Sequence, residues 1–151
     1  AQLIKPITVA LDTSVLNDVA NDFFSSSLVR HKKAKDFISF FNSTEYTPII
    51  SFEHIDEILQ TPIETHAKNS FEVINLFSRV LWIKSKSSYG FMVGNVHDII
   101  GNEIKAFSNG FSEFSEIISV SKENAFVFST GEEFYKNTMH IGLSLGAIHL
   151  Q

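Results

Sequence analysis

The stretch "ITVALDTSVLNDVAND", from Ile7 to Asp22, decides how the chain is read. Residues 7–11 are short, apolar and partly β-branched, which predicts a buried strand. The run stops on Asp12, two hydroxyl residues follow, and residues 14–20 predict a short helix. A carboxylate that closes a buried strand needs a reason. It can cap the next helix, because aspartate is a favoured N-cap. It can also hold a metal ion, and the two roles are compatible.

Working outward, residues 28–41 predict a longer helix. Ala34, Phe37, Ile38 and Phe41 recur there at helical spacing, with Arg30, Lys32, Lys33 and Lys35 mostly elsewhere on its surface. "YTPIIS" at 46–51 predicts a second strand, with Pro48 near its start or at a sheet edge. Ser51 then caps a helix over 52–60, which Pro62 stops. Residues 65–79 predict an amphipathic helix with Phe71, Ile74, Leu76 and Phe77 inward, and "VLWIK" at 80–84 a third strand. "SKSSYGFMVG" reads as a loop. Helices follow over 96–107 and 111–120, then a strand over 125–128. A last helix over 132–150 is weakened by Gly142 and Gly146. This alternation predicts a single α/β domain over 1–151, a three-layer α/β/α arrangement around a mostly parallel sheet of about four strands. The apolar ending "LSLGAIHLQ" either packs on the body or leads into a longer protein.

With 151 residues, 44% hydrophobic and 19% charged, the composition is that of a folded domain. No apolar run is long enough to span a bilayer, so no membrane is expected. The absence of cysteine excludes disulfides and thiolate metal sites and fits a cytoplasmic protein. A net charge of −5 argues against simple coating of nucleic acid, but not against a nuclease, whose acids and local basic patches share one surface.

In open parallel sheets, ligands gather beyond the carboxyl ends of the strands. Asp12 lies at that end of the first strand and Ser51 at that end of the second. Glu57 follows about a turn and a half into the helix behind Ser51. If the strands are neighbours, the two acids approach one another, and a hard divalent cation relieves their repulsion. Taken alone, Glu57 reads as a solvated helix residue, and its register to Ser51 raises it. Asp98 near a helix start favours the helix dipole with no function needed. The six histidines form no ligand pair on one helix face, though His54 is placed to line the cleft. "RHKKAK" at 30–35 is the strongest basic cluster. Its plain reading is a wet helix face, and its functional reading is a phosphate-tracking patch carried by Arg30, Lys32 and Lys33, with Lys84 and Lys86 as further candidates.

Two motifs carry a family resemblance. "VALDTSVL" resembles the opening motif of the PIN domain family, a hydrophobic strand followed by Asp-Thr-Asn/Ser and a short helix. "IISFEHIDEIL" resembles its second motif, in which a strand and serine precede a helix bearing an acid before an aliphatic residue, here Glu57-Ile58. The match covers roughly the first 60 residues. Further on, "VHDIIGNEIKAF" supplies a third acid through Asp98. "AFVFSTGEEF" resembles the last strand and turn, with Ser129, Thr130, Glu132 and Glu133.

The resemblance implies a ribonuclease dependent on Mg²⁺ or Mn²⁺. Asp12, Glu57 and Asp98 would hold the ion, directly or through water, and Thr13, Ser14, Ser51 and Thr130 would position carboxylates or water. Because many bacterial members are toxins paired with a small antitoxin, it also implies an antitoxin-like protein or a second copy of the chain as a companion beside the RNA substrate. Two rivals stand against it. Haloacid-dehalogenase-type phosphatases also place an Asp after a first strand, but carry a second Asp two residues on, where this chain has Ser14. A binding module would keep the fold without turnover.

Overall fold

The computed structural model describes residues 6–85 and 93–136. Its elements run β1 (Ile7–Ala10), α1 (Thr13–Phe23), α2 (Leu28–Ser43), β2 (Tyr46–Ile50), α3 (Phe52–Leu59), α4 (Glu64–Asn75), β3 (Val80–Ile83), α5 (Val96–Ser108), α6 (Phe114–Ala125) and β4 (Phe126–Ser129). Residues 131–136 are helical. The expected last helix beyond 136 and most of the expected loop, 86–92, lie outside the described residues. Among the described residues no helix is long and apolar enough to cross a membrane.

The strands form one sheet in the order β1-β2-β3-β4. β1, β2 and β3 are parallel, with Ala10 beside Ile49 and Ile50 beside Trp82. β4 is antiparallel to β3, with Ile83 beside Phe126 and Val80 beside Ser129. The chain is therefore an α/β protein with a mixed sheet. The reason for the reversal is local. The carbonyl of Ala125, the last residue of α6, accepts from Lys84 N–H just past β3 at 2.7 Å. The α5–α6 excursion thus returns to the end of the sheet from which it left, and β4 must run the other way.

Side chains alternate across a strand, so Ile50, Val80 and Trp82 share one face. They form the core with Leu16 and Val19 of α1, Ile38 and Phe41 of α2, Ile55 and Ile58 of α3, Phe71 and Ile74 of α4, and Phe134. The spacing of these residues on their helices is that of one buried stripe per helix. Ser70 of α4 donates to Asn17 Oδ1 of α1 at 2.7 Å, which satisfies the buried hydroxyl between them.

Three readings need correction, and one helix is as expected but turned outward. Among the described residues β1 is an edge strand, paired with β2 alone, rather than a buried one, and three of its four residues are exposed. α4 ends at Asn75, so Leu76 is a C-cap residue and exposed, while Phe71, Ile74 and Phe77 are buried as expected. α6 starts three residues later than expected and runs on to Ala125. The repeat in α5 at Val96, Ile100, Ile104 and Phe107 is helical, but it faces outward, with Ile104 62% and Phe107 66% exposed. The residue α5 buries fully is Ala106.

Gly131 shows how tightly the helical segment after β4 is seated. A Cβ at this position would sit on the Ile74 carbonyl oxygen and lie 2.7 Å from the Phe77 carbonyl oxygen. Only glycine lets the backbone approach the end of α4 so closely, and its N–H donates to the Phe77 carbonyl at 2.7 Å.

Candidate functional site at the carboxyl ends of the strands

β1 and β2 are parallel, so Asp12 and Ser51 follow their strands at the same edge of the sheet. Asp12 caps α1. Its backbone is extended, and Oδ1 accepts from Ser14 N–H at 2.8 Å. The carboxylate remains exposed. Hydrogen bonds from the Ser14 side chain and backbone hold its carboxyl below the usual carboxylate range. Asp12 is thus ionised at neutral pH. Thr13, which follows it, is buried in the first turn of α1.

His54 joins the two strand ends. Its Nδ1 accepts from Ser51 N–H at 3.1 Å, and Nε2 contacts the Leu11 carbonyl oxygen at 2.6 Å. A backbone N–H can only donate and a carbonyl can only accept. Nδ1 must then be bare and Nε2 must carry the proton, so His54 is neutral and donates to Leu11. The Ser51 Oγ lies 3.0 Å from Nδ1 and accepts from the His54 backbone N–H, which completes a reciprocal cap at the start of α3. Both ring nitrogens are engaged, so His54 is neither a metal ligand nor a proton carrier in this arrangement. It fixes α3 against the end of β1. The spacing Ser51-x-x-His54 is that of a capping box with histidine in place of the usual glutamate, a signal available in the sequence and read there merely as a cleft-lining side chain.

Glu57 is exposed and lies three residues beyond His54, on the neighbouring surface of α3. Asp98 stands at the end of β3. Gly94 N–H donates to the Ile83 carbonyl at 2.6 Å, and its carbonyl accepts from Phe52 N–H at 2.9 Å, so this residue ties β3 to the start of α3. A Cβ at Gly94 would lie 2.7 Å from both Asp98 Oδ2 and the Lys84 carbonyl oxygen. Asp98 Oδ2 accepts from Asn95 N–H at 2.9 Å while Asn95 caps α5, so the plain helix-start reading of Asp98 is fulfilled.

Asp12, Ser51 and Asp98 therefore follow three adjacent strands at one edge, where α1, α3 and α5 begin. Among the described residues no group of three or more acidic or histidine side chains is placed to hold one metal ion. The donor set still suits magnesium, which keeps most of its waters and takes one or two carboxylates. Asp12 offers an exposed carboxylate oxygen, and Glu57 carries another exposed carboxylate on α3.

The other expected residues lie elsewhere. Thr130 follows Ser129, which pairs with Val80 at the start of β3, so it sits at the opposite end of the sheet from Asp12. Its Oγ1 accepts from Glu133 N–H at 3.1 Å and caps the segment 131–136. The antiparallel run of β4 removes it from the mouth. Arg30 pairs with Asp22 of α1 at 2.6 Å and Lys32 with Asp36 of α2 at 2.6 Å. Two of the three basic candidates thus form exposed surface pairs, and Lys33 stands exposed beside them on α2. Lys86 lies outside the described residues.

Compared with family models, with curated proteins and with solved structures, the chain has no match.

Proposed function

We propose that the chain is a PIN-like, three-layer α/β domain that hydrolyses RNA phosphodiester bonds, with Asp12 and Glu57 holding Mg²⁺ or Mn²⁺ and Asp98 at the rim of the same edge. The observation that carries the reading is the exposed, ionised carboxylate of Asp12 at the carboxyl end of β1, beside the start of α3. Three helix N-termini begin along this edge, and each contributes about half a positive charge. They favour a phosphate there as well as the acids.

The chain's own residues divide the work. Ser14 keeps Asp12 ionised and aimed. His54 locks α3 to β1, which fixes the element that carries Glu57. Asp98 is oriented by Asn95 and crowds Gly94, so its carboxylate is held rather than free to swing. A bound divalent ion would polarise the scissile phosphate and lower the pKa of a water.

A second reading, a binding module without turnover, is favoured by the apolar row on α5. Val96, Ile100, Ile104 and Phe107 are exposed, as are Phe111 and Phe114 beyond them. Contiguous exposed apolar surface of this kind marks interaction sites. It suits a protein partner, antitoxin-like or a second copy.

One assay separates the two. The nuclease reading expects single-stranded RNA to be cleaved with Mg²⁺ or Mn²⁺, cleavage to stop with chelator, and Asp12→Asn to lose at least a hundredfold in rate. Binding of RNA or protein without turnover, unchanged in Asp12→Asn, selects the module.

A further inference from the structure

A cavity of about 340 Å³ opens between the end of β3 and the C-terminal halves of α5 and α6. Its polar lining is Lys84 and Ser85 from the strand end, Asn102, Lys105 and Asn109 from α5 and its cap, and Asn124 from α6. The buried Ala106 forms part of its apolar wall. Among the described residues no acidic side chain lines it. Among the described residues, neither lysine forms an ion pair.

Two of the asparagines are aimed by their own helices. Asn102 Nδ2 donates to the Asp98 carbonyl at 3.0 Å, and Asn124 Nδ2 donates to the Val120 carbonyl at 2.8 Å. Each amide keeps a second N–H and a carbonyl oxygen for a ligand. The ends of α5 and α6 oppose an anion with about half a negative charge each. Two full ammonium charges outweigh them. A helix-dipole role explains Lys105, which sits in the last turn of α5, but not Lys84, which is on no helix.

We infer that this cavity binds a phosphate group carried by a molecule large enough to use the asparagines. Its volume lies in the range of about 300–1,000 Å³ typical of small-ligand sites. The lysines take the phosphate, and the amides read donors and acceptors on the attached group. The phosphate comes either from a free nucleotide or from the backbone of an RNA strand. The cavity shares the end of β3 with Asp98, whose backbone carbonyl accepts from Asn102, but Asp12 and Glu57 are not in its lining, and binding there does not depend on catalysis.

The test is a titration of the full ¹⁵N-labelled chain by NMR, following the side-chain amides of Asn102, Asn109 and Asn124. The probes are adenosine monophosphate, adenosine and a short oligouridylate. The inference expects the monophosphate or the oligonucleotide to shift these amides saturably and adenosine to leave them in place. It expects Lys84→Gln with Lys105→Gln to weaken the response tenfold or more, and Asp12→Asn to retain it. A monophosphate that saturates at lower concentration than the oligonucleotide assigns the site to free nucleotides, and the reverse order assigns it to a nucleic-acid backbone. The inference is overturned if no probe shifts the amides, if adenosine acts as well as its monophosphate, or if the lysine variant responds like the parent.

Discussion

The two halves of the molecule use similar residues to different ends. On the face of the sheet formed by Ile50, Val80 and Trp82, four helices each turn an apolar stripe inward, and the large side chains there are almost wholly buried. In the α5–α6 hairpin the apolar stripe of α5 turns outward, and small residues make the buried contacts, Ala106 on α5 with Ser121 and Ala125 on α6. The first half is a core, and its side chains contribute mainly to stability. The second has close-packed small residues inside and open phenylalanines outside, the pattern of a surface kept for something else. Apolar spacing predicts a helix in both cases, yet which side is covered depends on what the rest of the chain brings to it.

The comparison breaks most easily at its largest expected effect. Trp82→Ala removes a buried indole packed edge-on against Phe134 with ring centres 6.2 Å apart, and is expected to cost about 3–5 kcal/mol in denaturant unfolding. Phe107→Ala on α5 is expected to stay within about 0.5 kcal/mol. Comparable losses for the two would mean that α5 is covered in solution and that the halves do not differ. Next in size, Gly131→Ala forces a methyl against the Ile74 carbonyl and is expected to cost about 1–3 kcal/mol or more. A neutral result in thermal unfolding would show that the segment after β4 is not seated on the core half.

His54→Ala tests how the core half holds its own edge. It removes the bridge from Leu11 to Ser51 and the cap of α3, an expected loss of about 1–3 kcal/mol. It should also raise the amide exchange of α3 above that of α5. Equal exchange in both helices would contradict the bridging role.

The smallest effect is a matter of pH. The Asp12 carboxyl is held below its ordinary value, so its cap stabilises the fold above the usual carboxylate range. That contribution is lost as pH falls through the depressed folded value. Asp12→Asn should therefore lie slightly below the parent at neutral pH and converge with it in acid, which flattens the acid limb of a stability–pH curve. At the alkaline end the sign is the opposite one. Burial, and then the nearby Glu72 carboxylate, push the Tyr135 hydroxyl up. Its contribution is intact below the ordinary tyrosine range near 10 and is lost as pH climbs toward the raised folded value.

Much of this was legible in the residues. The apolar run before Asp12, the capping chemistry of Asp12 and Ser51, and the parallel placement of β1 and β2 all follow from local pattern and from the need for a crossover between them. The direction of β4 was not legible, because a four-residue apolar strand looks the same in either orientation. What turned it was the return of α6 to the end of β3. That reversal also puts Thr130, whose expected role came from the family resemblance, at the other end of the sheet from Asp12. The capping role of His54 was not legible because histidine is uncommon at the third position of a capping box, although its spacing from Ser51 was on view.

The central claim is that the edge where β1 and β2 end holds a divalent ion between Asp12 and Glu57. The most direct measurement is paramagnetic broadening by Mn²⁺ in NMR spectra of the full chain. The account predicts that low Mn²⁺ selectively broadens the backbone signals of Asp12, Ser14 and Glu57, that Mg²⁺ competes, and that Asp12→Asn abolishes the effect. Broadening centred elsewhere, or the same broadening in Asp12→Asn, would contradict it.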